Sequence, residues 1–93
     1  MTATPPPAPN GDARLGSIVL YHATPGDDTP ELVPYPLSPG VDTFAAIVAR
    51  VHDKRVVDLM VVDPSKGPMP RWKVPFSENP RPGHWTATEG STA

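Results

Sequence analysis

Apolar side chains are densest between Phe44 and Asp63, where the sequence reads FAAIVARVHDKRVVDLMVVD. The 93-residue chain contains fifteen prolines, and none of them lies between Gly40 and Asp63. Proline removes a backbone N–H and interrupts both helix interiors and central strands. We therefore expect the core to be built on this proline-free stretch.

The two halves of this stretch differ in how clearly they predict a structure. In the second half Val57, Leu59 and Val61 alternate with Asp58, and its β-branched residues disfavour a helix, so a strand is predicted. The first half fits a helix over 42–52, because apolar residues recur at helical spacing after a possible cap at Asp42. It also fits a strand, whose solvent face would carry Arg50 and His52 and whose inward face would carry Ala45, Ile47, Ala49 and Val51.

Shorter strands are predicted on both sides. The segment 16–22, GSIVLYH, places Ser17, Val19 and Tyr21 on one face. The segment 71–76, RWKVPF, is expected to place Trp72, Val74 and Phe76 together at a sheet edge, because Pro75 cannot donate to a ladder. A last short strand over 84–87 carries Trp85.

The connections are predicted from turn chemistry. Residues 23–40, with five prolines, form a long loop in which Pro25-Gly26 signals a turn. Residues 53–55 are expected to form a hairpin turn with Asp53 left-handed. Residues 63–70 are expected to form a loop, and 77–83 a tight turn or one 3₁₀ turn.

This order of elements predicts an all-β fold, a small SH3-like barrel of about five short antiparallel strands. The alternative is an α+β fold with a helix at 42–52. We expect a proline-rich extended arm over 1–14, one barrel domain over 15–88 and a flexible tail over 89–93.

Several short pieces of the sequence resemble one family of small proteins encoded by tailed bacteriophages and prophages. These are Gly16 with Val19 and Tyr21, AAIVARVHD (45–53), VVDLMVVDPSKG (56–67), VPF (74–76) and PGHW (82–85). The resemblance implies a small β-fold in a phage setting. The family's role is generally unassigned, so the resemblance implies no catalytic residues.

Composition excludes several functions. Cysteine is absent, so disulfides and thiolate metal sites are ruled out. No apolar run reaches the roughly 20 residues that span a bilayer, and we expect no membrane association. The net charge of −2 disfavours general nucleic-acid affinity, although residues 1–49 are acidic and residues 50–85 basic.

Motifs that would carry chemistry are weak. His22, His52 and His84 have no metal-ligand spacing, DPSKGP lacks the spacing of a phosphate-binding loop, and Asp58 and Asp63 fall on opposite strand faces. We therefore predict no enzyme activity, no catalytic residue, no metal and no cofactor.

Two binding hypotheses remain. The first is a virion-associated protein-interaction module, a head decoration or accessory subunit assembled in the host cytoplasm. It would bind other virion proteins, either capsid protein or copies of itself. The second is an early host-directed or nucleic-acid-associated protein that uses a basic-aromatic patch over 71–85.

The residues predicted to contact partners lie in three segments. They are Pro5, Pro6, Pro7 and Pro9 in the arm, Leu32, Val33 and Tyr35 in the long loop, and Arg71, Trp72, Lys73 and Arg81 in the basic region. Trp72 and Trp85 are expected chiefly in the core, because a domain this small needs their area.

Overall fold

Five antiparallel strands form one sheet in the computed structural model, which describes residues 13–53 and 55–88. The strands are β1 (Ile18–His22), β2 (Thr43–Val51), β3 (Val56–Asp63), β4 (Gly67–Pro75) and β5 (Trp85–Ala87). Their order in the sheet is β4-β3-β2-β1-β5. The all-β prediction is confirmed. The alternative helix at 42–52 is wrong, because that segment is β2.

The two ends of the sheet meet through Phe76 and Trp85. These residues form a parallel bridge, and the Ser77 N–H donates to the Trp85 carbonyl oxygen at 2.9 Å. The Trp85 indole Nε1 donates to the Arg55 carbonyl oxygen at 3.0 Å, and the Arg55 guanidinium lies over the Phe76 ring. These contacts curl the sheet into a small barrel closed around Trp85.

The interior is filled from all five strands and from the loop between β1 and β2. Trp85 is fully buried, as the sequence predicts. The other buried apolar residues are Val19, Tyr21, Leu37, Phe44, Ala46, Val48, Val57, Leu59, Val61 and Val74.

The inward face of β2 differs from the prediction. Phe44, Ala46 and Val48 are buried, whereas Ala45, Ile47, Ala49 and Val51 are exposed. Both sets are apolar, so the alternation along β2 does not itself select a face. The pairing of Tyr21 with Phe44 and of Val48 with Leu59 selects it, because these partners are all buried.

Strand β4 begins earlier than predicted, at Gly67, and includes Pro68 and Pro70. The sheet accepts these prolines because β4 is an edge strand, as Pro75 predicts. The ladder to β3 shifts between Val57 and Leu59, and Lys73 has a positive φ of 52°. This bulge places Trp72 outside and Val74 inside, so the predicted shared face of Trp72, Val74 and Phe76 is wrong.

The PGHW segment (82–85) forms most of the turn that leads into β5. The His84 N–H donates to the Arg81 carbonyl oxygen at 3.1 Å, with Pro82 and Gly83 between them. Gly83 has a φ of 77°, which makes this the type II turn that proline followed by glycine favours. The predicted tight turn before the last strand is thus present.

The turn between β2 and β3 is stabilised by the Asp53 side chain. The Asp53 carboxylate oxygen Oδ1 accepts from the N–H groups of Arg55 and Val56 at 2.7 and 3.0 Å. In the described residues, the non-glycine position with positive φ is Lys73, so the left-handed conformation expected for Asp53 is not found. An aspartate side chain that accepts backbone N–H groups stabilises such a turn.

We predict that two leucines of the same loop contribute very differently to stability. Leu37 is 1% exposed and Leu32 is 70% exposed. Leu37→Ala should lower the free energy of unfolding by about 2–5 kcal/mol because it leaves a cavity. Leu32→Ala should change it by less than about 0.5 kcal/mol. Urea unfolding of both variants measures this, and similar losses would show that the loop does not complete the core.

Candidate interaction surface

The long loop over 23–42 is held on the barrel by a buried carboxylate. Asp27 accepts hydrogen bonds from the Tyr21 hydroxyl at 2.7 Å and from the Thr24 N–H at 2.6 Å. Arg71 Nε donates to the other carboxylate oxygen at 2.9 Å. The Asp27 carbonyl oxygen also accepts from the Leu37 N–H at 2.8 Å. One residue therefore joins β1, β4 and both halves of the loop.

Burial and hydrogen bonding act in opposite directions on the pKa of Asp27. Burial disfavours the ionised form of Asp27, but the donors from Thr24, Tyr21 and Arg71 outweigh it, and the pKa of Asp27 is lowered. Burial, together with Asp27, raises the pKa of Tyr21. The carboxylate is thus kept ionised and the phenol neutral, which fixes the hydrogen bond between them.

A second carboxylate holds the far end of the loop. The buried Asp63 accepts from the Ser38 N–H at 2.8 Å, from the Ser38 hydroxyl at 3.0 Å and from the Ser65 N–H at 2.9 Å. Burial opposes the ionised form, but these backbone donors prevail and lower the pKa of Asp63. The two anchors hold the loop at Asp27 and Ser38, and the exposed residues Leu32 and Tyr35 lie between them.

A double-mutant cycle tests the first anchor. Arg71→Met leaves the Asp27 carboxylate buried without its cation and should cost about 3–5 kcal/mol of unfolding free energy. Asp27→Asn combined with Arg71→Met should recover at least about 1 kcal/mol relative to the sum of the single losses. Urea unfolding at pH 7 provides the measurement. Strictly additive losses would mean that the two residues do not act as a pair.

The surface of the sheet opposite the core is apolar. Ile18, Ile47, Met60 and Pro70 lie opposite one another across four strands in one row. A neighbouring row contains the pairs Leu20–Ala45 and Val62–Pro68. We call these two rows the outer face. Ile18, Ile47 and Val62 are 38%, 39% and 41% exposed, so part of the apolar surface of the outer face is accessible to solvent.

An aromatic pair lies beside the outer face at the β4 edge. Trp72 is 57% exposed and Tyr35, from the loop, is 44% exposed. Their ring centroids are 6.1 Å apart, with the planes tilted by 53°. The expectation that Trp72 belongs to the core is therefore wrong, because the bulge at Lys73 directs it outward.

The predicted partner-contacting residues separate into three groups. Leu32, Tyr35, Trp72, Lys73 and Arg81 are exposed, and Val33 is half-buried. Arg71 is only 8% exposed and belongs to the loop anchor. The residues Pro5, Pro6, Pro7 and Pro9 lie outside the described part of the chain.

The basic-aromatic patch predicted over 71–85 is not one surface. Arg71 and Trp85 are buried, and the exposed Trp72 pairs with Tyr35. The outer face was not predicted from the sequence, although the sequence of β2 contains one signal for it. Both alternating sets of β2 are apolar, and only one set can face the core of a barrel.

Polar side chains gather at one end of the outer face, near the turn between β2 and β3. Asp58 accepts from the Lys73 N–H at 2.9 Å, and His52 Nε2 lies 2.9 Å from the same oxygen. Arg50 Nε is 3.9 Å from the other oxygen. Burial opposes ionisation of Asp58, but these neighbours lower its pKa. The charges form a polar rim beside the apolar rows.

The side chains of the three histidines contact different residues. His22 Nε2 lies 2.8 Å from the Thr86 hydroxyl, His52 contacts Asp58, and His84 Nδ1 lies 3.0 Å from the Pro82 carbonyl oxygen. Within residues 13–53 and 55–88, no group of three histidine, aspartate or glutamate side chains is placed to hold a metal ion.

His22 should make the fold sensitive to mild acid. Burial, and secondarily His84, lowers the pKa of His22, so the folded protein favours the neutral ring. Its contribution is complete above the unfolded pKa of about 6.5 and is lost as the pH falls below it, by at most about 1.4 kcal/mol per pH unit. His22→Gln should remove this loss between pH 6.5 and 5.

The exposed His52 supplies the matched control for His22. His52→Gln should keep the decrease in unfolding free energy that the unsubstituted protein shows over the same pH range. Urea unfolding at several pH values compares the three proteins. An unchanged slope in the His22→Gln variant would contradict the assignment.

Comparison with protein-family models, with curated proteins and with solved structures finds no match to this chain. Among the residues that the structure describes, no helix is long and apolar enough to cross a membrane.

Proposed function

We propose that the chain is a non-enzymatic protein-interaction module of a tailed bacteriophage. It acts as a head decoration or accessory subunit of the virion and binds other virion proteins, either capsid protein or copies of itself. The observation that carries the interaction role is the outer face, an apolar surface that spans four strands and is not used by the core. The phage setting rests on the sequence resemblance.

Three features support a role of this surface in binding other proteins. Surfaces of this kind on small proteins usually mark binding sites for other proteins. Aromatic residues are enriched at interface centres, and Trp72, which pairs with Tyr35, lines a groove with Met60 and Pro70 of the outer face. The buried ionisable groups Asp27, Asp63 and Arg71 are already engaged in holding the loop.

The edge of the sheet is a poorer binding site than its face. Pro68, Pro70 and Pro75 lie on the edge strand β4 and lack the N–H groups that an added strand would require. The opposite edge, β5, is three residues long. A partner therefore gains more from packing on the outer face than from extending the sheet.

The alternative of a nucleic-acid-associated protein has less support. Such binding relies on bases and aromatic rings that share one surface. Of the patch predicted over 71–85, Arg71 and Trp85 are buried.

A substitution that introduces a charged side chain on the outer face tests the interaction role. Ile47 lies at the centre of its row and is exposed, so Ile47→Lys should leave the fold intact while placing a cation in the interface. We expect gradient-purified particles to contain at least about tenfold less of this variant than of the unsubstituted protein. Glu31→Lys, in the exposed part of the loop, adds a cation elsewhere and should be incorporated normally.

Two outcomes would contradict different parts of the proposal. Absence of the unsubstituted protein from purified particles would reject the virion role. Normal incorporation of Ile47→Lys would reject the outer face as the contact surface.

A further inference from the structure

The aromatic pair borders a groove at the β4 end of the outer face. The groove is lined by Ala49, Trp72 and two outer-face residues, Met60 and Pro70, and charged side chains of Arg50 and Asp58 also line it. The Tyr35 ring lies 6.1 Å from the Trp72 ring. The exposed Trp72 ring thus contacts a second aromatic ring and also lines a largely apolar groove.

Exposed aromatic rings beside a groove are the surface that proline-rich segments recognise. Such segments adopt the extended polyproline II conformation without internal hydrogen bonds. Their pyrrolidine rings pack against aromatic side chains, and little chain entropy is lost on binding. The ligand chemistry that fits this site is therefore an uncharged, proline-rich peptide.

This sequence contains such a segment. Residues 4–10 read TPPPAPN, and the first charged side chain of the chain is that of Asp12. It contains four prolines, at positions 5, 6, 7 and 9, whereas the stretch from Gly40 to Asp63, on which the core is built, contains none. The segment therefore has the composition of an uncharged, proline-rich ligand.

The connection to the barrel is long enough for the segment to reach the site. The Gly16 N–H donates to the Val48 carbonyl oxygen at 2.8 Å, and Val48 is followed across the sheet by Leu59 and Arg71. At about 4.8 Å between neighbouring strands, Gly16 lies about 14 Å from Arg71. A polyproline II helix rises about 3.1 Å per residue, so six residues in that conformation, the number from Ala13 back to Pro7, would span about 19 Å.

We propose that residues 5–9 dock on the Tyr35–Trp72 surface of the same molecule. Docking in the same molecule is favoured because a short connection gives the segment an effective concentration on the order of millimolar. The docking groove includes Met60 and Pro70 of the outer face, but the proposal does not depend on the phage setting or on incorporation into particles. It can therefore fail while the proposed function stands.

The two tryptophan indole N–H signals in NMR spectra provide the readout. Trp72→Phe assigns them. In the full chain, replacing the prolines at 5, 6, 7 and 9 by alanine should shift the Trp72 signal. The Trp85 signal should not move, because its indole donates to the Arg55 carbonyl oxygen inside the barrel. This second signal also reports whether each variant is folded.

A peptide of residues 1–12 tests the site directly. Added to the proline-to-alanine variant, it should restore the Trp72 signal with a dissociation constant on the order of millimolar. Its affinity for a variant that also carries Tyr35→Ala should be at least about tenfold lower. A peptide with alanine in place of the four prolines is the matched control and should have no effect.

Three results would overturn the proposal. The Trp72 signal could be unaffected by loss of the prolines. It could respond equally to the control peptide. It could change on dilution of the full chain, which would show that the segment docks on a neighbouring copy and not on its own molecule.

Discussion

The ion pair between Asp27 and Arg71 is the contact on which the rest of the structure depends. A connection of twenty residues without regular secondary structure separates β1 from β2. Such a connection stays in place only if its polar groups find partners and if it covers apolar surface. Asp27 provides the first condition, because its carboxylate and carbonyl oxygens accept from four different residues. Leu37 provides the second.

Removing two charges from water is costly, so this pair defines a geometry more than it adds net stability. Arg71 lies in the middle of β4, on the inner side, and its guanidinium also donates to the Pro70 carbonyl oxygen at 2.8 Å. The loop is therefore tied to the same edge strand that carries Trp72. This explains how Tyr35 comes to lie beside Trp72, although the two are far apart in sequence.

The sequence predicted strands where one face differs clearly from the other. In β3, Val57, Leu59 and Val61 alternate with Asp58; the predicted strand is present, and these three residues are buried. In β2 both faces are apolar, so a strand was one of two predictions for this segment and its predicted inward face was wrong. The start of β4 was missed because Pro68 and Pro70 resemble a loop unless the strand is known to be an edge. The bulge at Lys73 has no sequence signal, since neither glycine nor asparagine marks the left-handed residue.

The candidate surface was less predictable than the fold because it depends on features that have no sequence signal. Exposure of Trp72, burial of Arg71 and the pairing with Tyr35 all follow from the bulge and from the loop anchor. Both are tertiary features. Residues chosen by composition alone, such as Leu32 and Arg81, are indeed exposed, but their exposure does not show that they bind anything.

The placement of large and small side chains supports the proposal that the exposed apolar surface binds a partner. A domain of about 70 residues buries only around 60% of its unfolded surface and needs its large apolar groups inside. Yet Ala46 occupies the core while the adjacent Ile47 lies outside, and Trp72 remains largely uncovered. Covering the exposed part of Trp72 would contribute roughly 2–4 kcal/mol. The fold leaves this free energy to be gained by contact with another chain segment.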